Sequence, residues 1–241
     1  MPSLPSFSGT VLKRGIMLAL ACLPACLLGP VAAHADTDTQ AWGGFTVNAK
    51  IDDHWRASNE TILRTGNARG FYEIENNFMV GYKLNKTVTV WLGYTFDPNY
   101  LHGDFRVREH RIREQVSFDN FARLGPVRLS GRLRMEQRWR DQGVQGTGWR
   151  LRPFIKATLP VADTGRGKVS IVASHESFID FNKTSYQAVG GEERMRNFIG
   201  INAPLTKRLT VEAGYLNQYG IRPGRLDSSD HVASVAFTLS L

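Results

Sequence analysis

Cysteine is nearly absent. The 241-residue chain has two, Cys22 and Cys26, both inside an apolar N-terminal stretch. Beyond that stretch there is no thiol, which excludes disulfides, cysteine-based metal centres and thiol nucleophiles. After it, no apolar run approaches the ~20 residues that a spanning helix needs, so any later membrane insertion must use strands. The histidines after His34, namely His54, His102, His110, His175 and His231, show no metal-like spacing, so no metal and no cofactor is expected. Gly190-Gly191 and Gly143-x-x-Gly146 sit in loop-like stretches rather than between a strand and a helix, so a phosphate cradle is not expected. Acidic residues are also in deficit, with 22 Asp+Glu against 30 Lys+Arg and a net charge of +8. Such a balance can mark nucleic-acid binding. Here the arginines alternate with apolar residues instead of clustering, and no nucleic-acid partner is expected.

The N-terminus carries an export signature. Lys13 and Arg14 precede an apolar run over 15–28, then Gly29, Pro30 and the small-residue ending Val31-Ala32-Ala33-His34-Ala35. Ala33-His34-Ala35 fits an A-x-A cleavage site, so 1–35 reads as a cleaved signal peptide and 36–241 as the mature domain. Leu23-Pro24-Ala25-Cys26 offers a lipoprotein box as the alternative, with proline a poor fit inside it.

The most informative segment is 127–139. Val127, Leu129, Gly131, Leu133, Met135, Gln137 and Trp139 alternate with Arg128, Ser130, Arg132, Arg134, Glu136 and Arg138. On a strand these sets face opposite ways, giving one largely apolar face and one ionic face. The pattern recurs over 78–84, 88–96, 107–118, 149–159, 168–180, 195–203, 209–219 and 235–241. In 107–118, Glu109, Arg111, Arg113 and Gln115 share a face, while His110 and Glu114 interrupt the apolar one. Gly93, among bulky neighbours, reads as relief of crowding on the inner face.

Links of two kinds alternate along the chain. Those at 85–87 and 204–207 are short, and 119–126 and 160–167 are medium. Those at 97–106, 141–148, 181–191 and 220–230 are mostly longer and polar. Short turns at one end and long loops at the other, with apolar residues outside and charges within, describe an outer-membrane barrel. The expectation is an all-β, transmembrane, antiparallel up-and-down β-barrel with a charged lumen and no plug. Residues 41–65 as one bent strand give ten strands; as a hairpin turning at Asp52-Asp53 they give eleven, and a further strand would give twelve. Ten is favoured and twelve the alternative, because bacterial single-chain barrels have even counts.

Several blocks carry a family resemblance. They are Val90-Trp91-Leu92-Gly93-Tyr94, Glu109-His110-Arg111, residues 132–139, Arg150-Leu151-Arg152, Glu176-Ser177-Phe178 and residues 211–218. In order they cover most of the mature chain, which resembles the bacterial domain-of-unknown-function 2490 family of outer-membrane barrels. The resemblance implies a fold and a Gram-negative outer-membrane location, but no activity. The last strand ends on Leu241 where such barrels commonly end on an aromatic residue. Outer-membrane lipid and the barrel-assembly machinery, engaged through that strand, are the expected partners of a monomer.

The inward set is Glu109, Arg111, Arg113, Arg128, Arg132, Arg134, Glu136, Arg138, Arg150, Arg152, Glu176 and Glu212. Arginine suits this place because its planar fork binds carboxylates bidentately and stays charged. Two functions fit: a narrow pore or binding barrel for small anionic solutes, because arginines are in excess, or a structural barrel with a salt-bridged, closed lumen. An enzyme is not expected. The alternative is a lipid-facing acyl hydrolase using His175 and Ser177, which lie two apart on one face, with Glu192 or Glu193 orienting the imidazole. That His-x-Ser arrangement is similar to the one in the outer-membrane lipid A deacylase family.

Overall fold

The computed structural model describes residues 35–141, 146–188 and 190–241; residues 1–34, nearly all of the expected signal peptide, lie outside them. Eleven strands follow one another with no helix among the described residues. They are β1 (Asp36–Lys50), β2 (Trp55–Gly66), β3 (Gly70–Lys83), β4 (Val88–Leu101), β5 (Asp104–Leu124) and β6 (Val127–Arg140). Then come β7 (Gly148–Asp163), β8 (Lys168–Asp180), β9 (Gly191–Pro204), β10 (Leu209–Gly220) and β11 (Ser228–Ser240). Each strand pairs antiparallel with its neighbours in sequence, and the sheet closes into a barrel through β1 and β11.

That closure is parallel, running in register from Asp36↔Ser228 to Asn48↔Ser240. It accounts for eleven strands where ten were favoured. An even count is required only if the closing pair is antiparallel, as it is in up-and-down barrels. Residues 41–65 form a hairpin, not one bent strand. Its turn is held by Asp52, whose carboxylate accepts from the amides of His54 and Trp55 at 2.7 Å each. This is the Asx-type turn that aspartate favours. The amide of Trp55, then that of His54, holds the Asp52 carboxyl below its ordinary range. An odd count also puts the start of β1 and the end of β11 at opposite ends of the barrel.

A cysteine pair reports this closure directly. Ala41 and Ala233 are register partners, and directly paired positions fall within the Cα separation of a disulfide. In a background with Cys22 and Cys26 replaced, Ala41→Cys with Ala233→Cys should oxidise to a single intramolecular crosslink. An unchanged free-thiol titre after mild oxidation would contradict the parallel seam.

The two ends differ, though less than the sequence suggests. At the turn end the links are 51–54, 84–87, 125–126, 164–167 and 205–208; at the loop end they are 67–69, 102–103, 141–147, 181–190 and 221–227. The long loop expected over 97–106 is absent. β4 and β5 run on to a two-residue turn at His102 and Gly103, where φ is 52° and 89°. Two successive positive φ values match the twist of a tight hairpin, and glycine takes one of them without strain. Of the 119–126 stretch, 119–124 is likewise strand and only 125–126 turns. Asp119, Asn120 and Phe121 bulge out of the β5–β6 ladder, which then resumes at Ala122↔Leu129.

Alternation sorts the side chains. Arg111, Arg113, Arg134, Glu136, Arg138, Arg150, Arg152 and Glu176 are buried, whereas Ile112, Leu133, Ile155, Ile171 and Ile199 are exposed on the outer surface. Gly93 sits on the inner side opposite Met79; a Cβ there would lie 2.6 Å from the Met79 Cγ and the Phe78 carbonyl oxygen. The outer face is not wholly apolar. Glu114 lies exposed on it, and Asn76 donates to Asn59 at 3.3 Å and to Thr61 at 2.8 Å. Nearer the loop end, the outer surface carries paired rings: Tyr94 is hydrogen-bonded to His110, which stacks on Trp139, and Tyr215 meets His231 at 2.6 Å.

Candidate functional site

The interior is crossed by a belt of ion pairs drawn from facing positions on β3, β5, β6, β7 and β8. Glu136 is its centre and is fully buried. One carboxylate oxygen takes Arg113 Nε at 3.0 Å and Arg152 Nη1 at 2.8 Å, and the other takes Arg150 Nη2 at 3.0 Å. Arg113 continues to Glu75 at 2.7 Å, and Arg152 to Glu176 at 3.0 Å. Glu176 also takes Arg132 at 2.7 Å. Towards the loop end, Glu109 accepts from Arg111 at 2.6 Å, Arg138 at 2.8 Å and Arg140 at 2.7 Å. Cross-strand register supplies this pairing: Arg113 stands opposite Glu136 on β6, and Glu136 opposite Arg150 on β7.

Glu109, Arg111, Arg113, Arg132, Glu136, Arg138, Arg150, Arg152 and Glu176 all enter the network. Glu212 lies outside it, half-buried and paired with Lys156. Arg128 is half-buried on β6 towards the turn end, its Nε without a hydrogen-bond partner among the described residues. Arg134 is buried, yet its Nε donates to the amide oxygen of Gln115 at 2.8 Å and it forms no ion pair among the described residues.

Sequence reasoning passed over several members. Glu75 and Asp97 are buried network acids, with Arg64 bridging Glu73 and Glu75 and Arg111 bridging Asp97 and Glu75. Extending the β3 alternation back from Phe78 would have found Glu75; Asp97 was hidden by the loop reading of its segment. Oxygens of Glu73, Glu75 and Asp97 lie within 4.8 Å of one another. Arg64, Arg111 and Arg113 neutralise them, so this is an ion network and not a cage awaiting a cation. The 181–190 link also contributes, contrary to a barrel without a plug. Gln187 is fully buried and accepts from Arg138 Nη1 at 3.1 Å, while Arg140 lies over the Tyr186 ring at 4.7 Å.

A cavity lies on each side of the belt. The one at the loop end, about 410 Å³, is lined by Trp42, Arg69, Tyr72, Arg194, Arg196 and Asp230 among others. The one towards the turn end, about 280 Å³, includes Asn77, Gln115, Ser117, Arg132, Arg134 and Phe154. β3 shows the layering: Glu73 lines the first cavity, Glu75 belongs to the belt and Asn77 lines the second. Each cavity holds one arginine tied to a glutamine and not to a carboxylate. These are Arg134 and Arg196, the latter donating from Nε to Gln218 Oε1 at 2.9 Å. Arg196 is also held between Trp42 and Phe178, 4.7 Å from each ring centroid.

His175 and Ser177 occupy the outer face of β8, both half-buried. His175 Nε2 lies 3.1 Å from Ser177 Oγ. The orienting partner is not Glu192, which stands opposite Ile179. It is Asn197, register partner of His175 on β9, with Oδ1 at 2.8 Å from Nδ1. Glu193 bonds Arg150 instead.

Fold and site together define a closed all-β barrel with an ion-paired interior. The family model described as "Protein of unknown function (DUF2490)" matches residues 39–229. The chain belongs to that family. It is 29% identical over 223 residues to an uncharacterized protein of Methylorubrum extorquens, covering 91% of this chain and 95% of the relative. No solved structure matches.

Proposed function

We propose that this is an outer-membrane β-barrel, closed at its waist, that binds small anionic solutes in its end cavities and does not conduct them. The export signature and the exposed apolar outer face support the location. The belt carries the functional reading: Arg113 and Glu136 are both fully buried between the two cavities, so ion-paired side chains fill the waist at these positions. Opening the waist would separate buried charges from their partners, at a cost of several kcal/mol. Binding is favoured by Arg134 and Arg196, whose forks meet no carboxylate among the described residues and face a cavity each. A buried guanidinium without a carboxylate partner gains most from an incoming oxyanion.

In planar bilayers the protein should show no resolved conductance at neutral pH. Titration calorimetry with inorganic phosphate or acetate should show saturable binding, at least ~10-fold weaker in Arg134→Gln with Arg196→Gln, because each charge-assisted bond contributes about 1.5–3 kcal/mol. Resolved anion-selective current would sink the closed-waist reading, and absence of binding would remove the anion role.

A further inference from the structure

Three residues on the outer face are arranged as a nucleophile, a base and an orienting group, remote from the anion cavities. An amide oxygen has no hydrogen to give, so the 2.8 Å contact between His175 Nδ1 and Asn197 Oδ1 makes Nδ1 the donor. In the neutral ring that fixes the tautomer and leaves Nε2 as an acceptor, facing Ser177 Oγ at 3.1 Å. A base that is itself held by a third group and lies within reach of a hydroxyl is the geometry that activates serine. The other outer-surface histidines are bonded differently: His110 and His231 each meet a tyrosine hydroxyl.

Around Ser177 the ladder is interrupted on the β7 side and bulged on the β9 side. On β7 the pairing skips from Leu151↔Ile179 to Phe154↔Glu176, and Pro153, which has no amide hydrogen, falls opposite Ser177. On β9 the register shifts beyond Phe178↔Arg194 to Ile179↔Glu192, so Glu193 is an extra residue in a β-bulge. A bulge takes its extra residue out of the ladder and re-aims its neighbours, and bulges concentrate beside active sites. Met195, the register partner of Ser177, is two residues from it.

The geometry points to a serine acyl-ester hydrolase site at Ser177, His175 and Asn197, acting on lipid acyl esters presented along the barrel wall. The substrate class follows from the surroundings. The site opens outward, five and three residues from the loop-end terminus of β8 at Asp180. Along the same face lie Ile155, Ile171 and Ile199, all exposed, which would hold an acyl chain against the wall. In the first step Ser177 Oγ attacks the ester carbonyl carbon while its proton passes to His175 Nε2. The bond to the alcohol oxygen breaks, and the alcohol leaves with the proton from His175. Water then attacks the acyl-serine, giving a proton to the same nitrogen; the bond to Oγ breaks, the fatty acid departs and Ser177 regains its proton. Ser177 and His175 are the catalytic residues, and Asn197 is a positioning residue.

The test uses the full-length mature barrel refolded in detergent, with heat-modifiable gel migration as the check of folding for every variant. Two probes are needed, because the lipid substrate rests on the membrane reading while the triad chemistry does not. One is a fluorogenic diacyl phospholipid in mixed micelles, and the other a water-soluble short-chain p-nitrophenyl ester. Wild type should hydrolyse both and be labelled at Ser177 by a fluorophosphonate. Ser177→Ala and His175→Ala should each lower turnover at least ~10³-fold with the fold intact. Asn197→Asp should keep activity and move the acid limb of the pH–rate profile upward, because a carboxylate beside His175 favours the imidazolium; Asn197→Ala should lose turnover without that shift. Hydrolysis of the soluble ester alone would keep the triad and remove the lipid substrate. No hydrolysis and no labelling of the wild type, or activity persisting in Ser177→Ala, would overturn the proposal.

Discussion

Glu136→Gln should lower the free energy of unfolding by about 3–5 kcal/mol, the usual cost of removing one partner from a buried ion network. The carboxylate accepts from Arg150 and Arg152, lies 3.0 Å from Arg113 Nε, and is itself fully buried. The amide keeps the shape but not the charge, leaving three cations with less compensation where water cannot replace it. Urea unfolding from phospholipid vesicles measures the loss. The control is Glu212→Gln, because Glu212 is half-buried, pairs with Lys156 and lies outside the belt. There the change should stay below about 1 kcal/mol, the range of screened pairs. If the two variants unfold alike, Glu136 is not the centre of anything.

Leu133→Arg should destabilise the barrel by about 2–4 kcal/mol in bilayers, the cost of a cation on the lipid face near the midplane. Leu133 is on the outer face, 49% exposed, in the middle of β6. It is flanked across the ladder by Val116 and Pro153, neither of which can neutralise an added charge. In water the same change at an exposed position would fall within about 0.5 kcal/mol. Comparing vesicle-folded protein with the detergent-free form therefore separates a lipid-facing wall from a solvated one. A null effect in vesicles would argue against membrane insertion and leave the barrel fold untouched.

The faces of the strands were legible in the sequence because a strand alternates with period two, a purely local property. Reading 127–139 is enough to set Arg132, Arg134, Glu136 and Arg138 apart from Leu129, Leu133 and Trp139. The strand count was less legible. Residues 41–65 hold one hairpin, and the turn at Asp52 was set aside only because eleven strands conflict with antiparallel closure. His102-Gly103 was absorbed into an expected loop, although two consecutive positive φ values make it the tightest kind of turn. Asn197 was invisible as a partner of His175. The two are 22 residues apart in the chain, and only the β8–β9 register joins them.

By itself, then, the sequence determined that this chain makes amphipathic strands with arginine and glutamate on one face, and that they form an all-β barrel of its family. Tertiary structure decided how many strands close, by pairing β1 with β11 in parallel. It also decided which charges meet. Glu75, on β3, reaches Arg113 on β5, and Glu136 gathers arginines from both neighbouring strands. Such contacts depend on distance and register between chain-distant segments, and no local pattern encodes either. The same reason explains why Arg134, surrounded in sequence by other arginines and a glutamate, ends up held by a glutamine and facing a cavity.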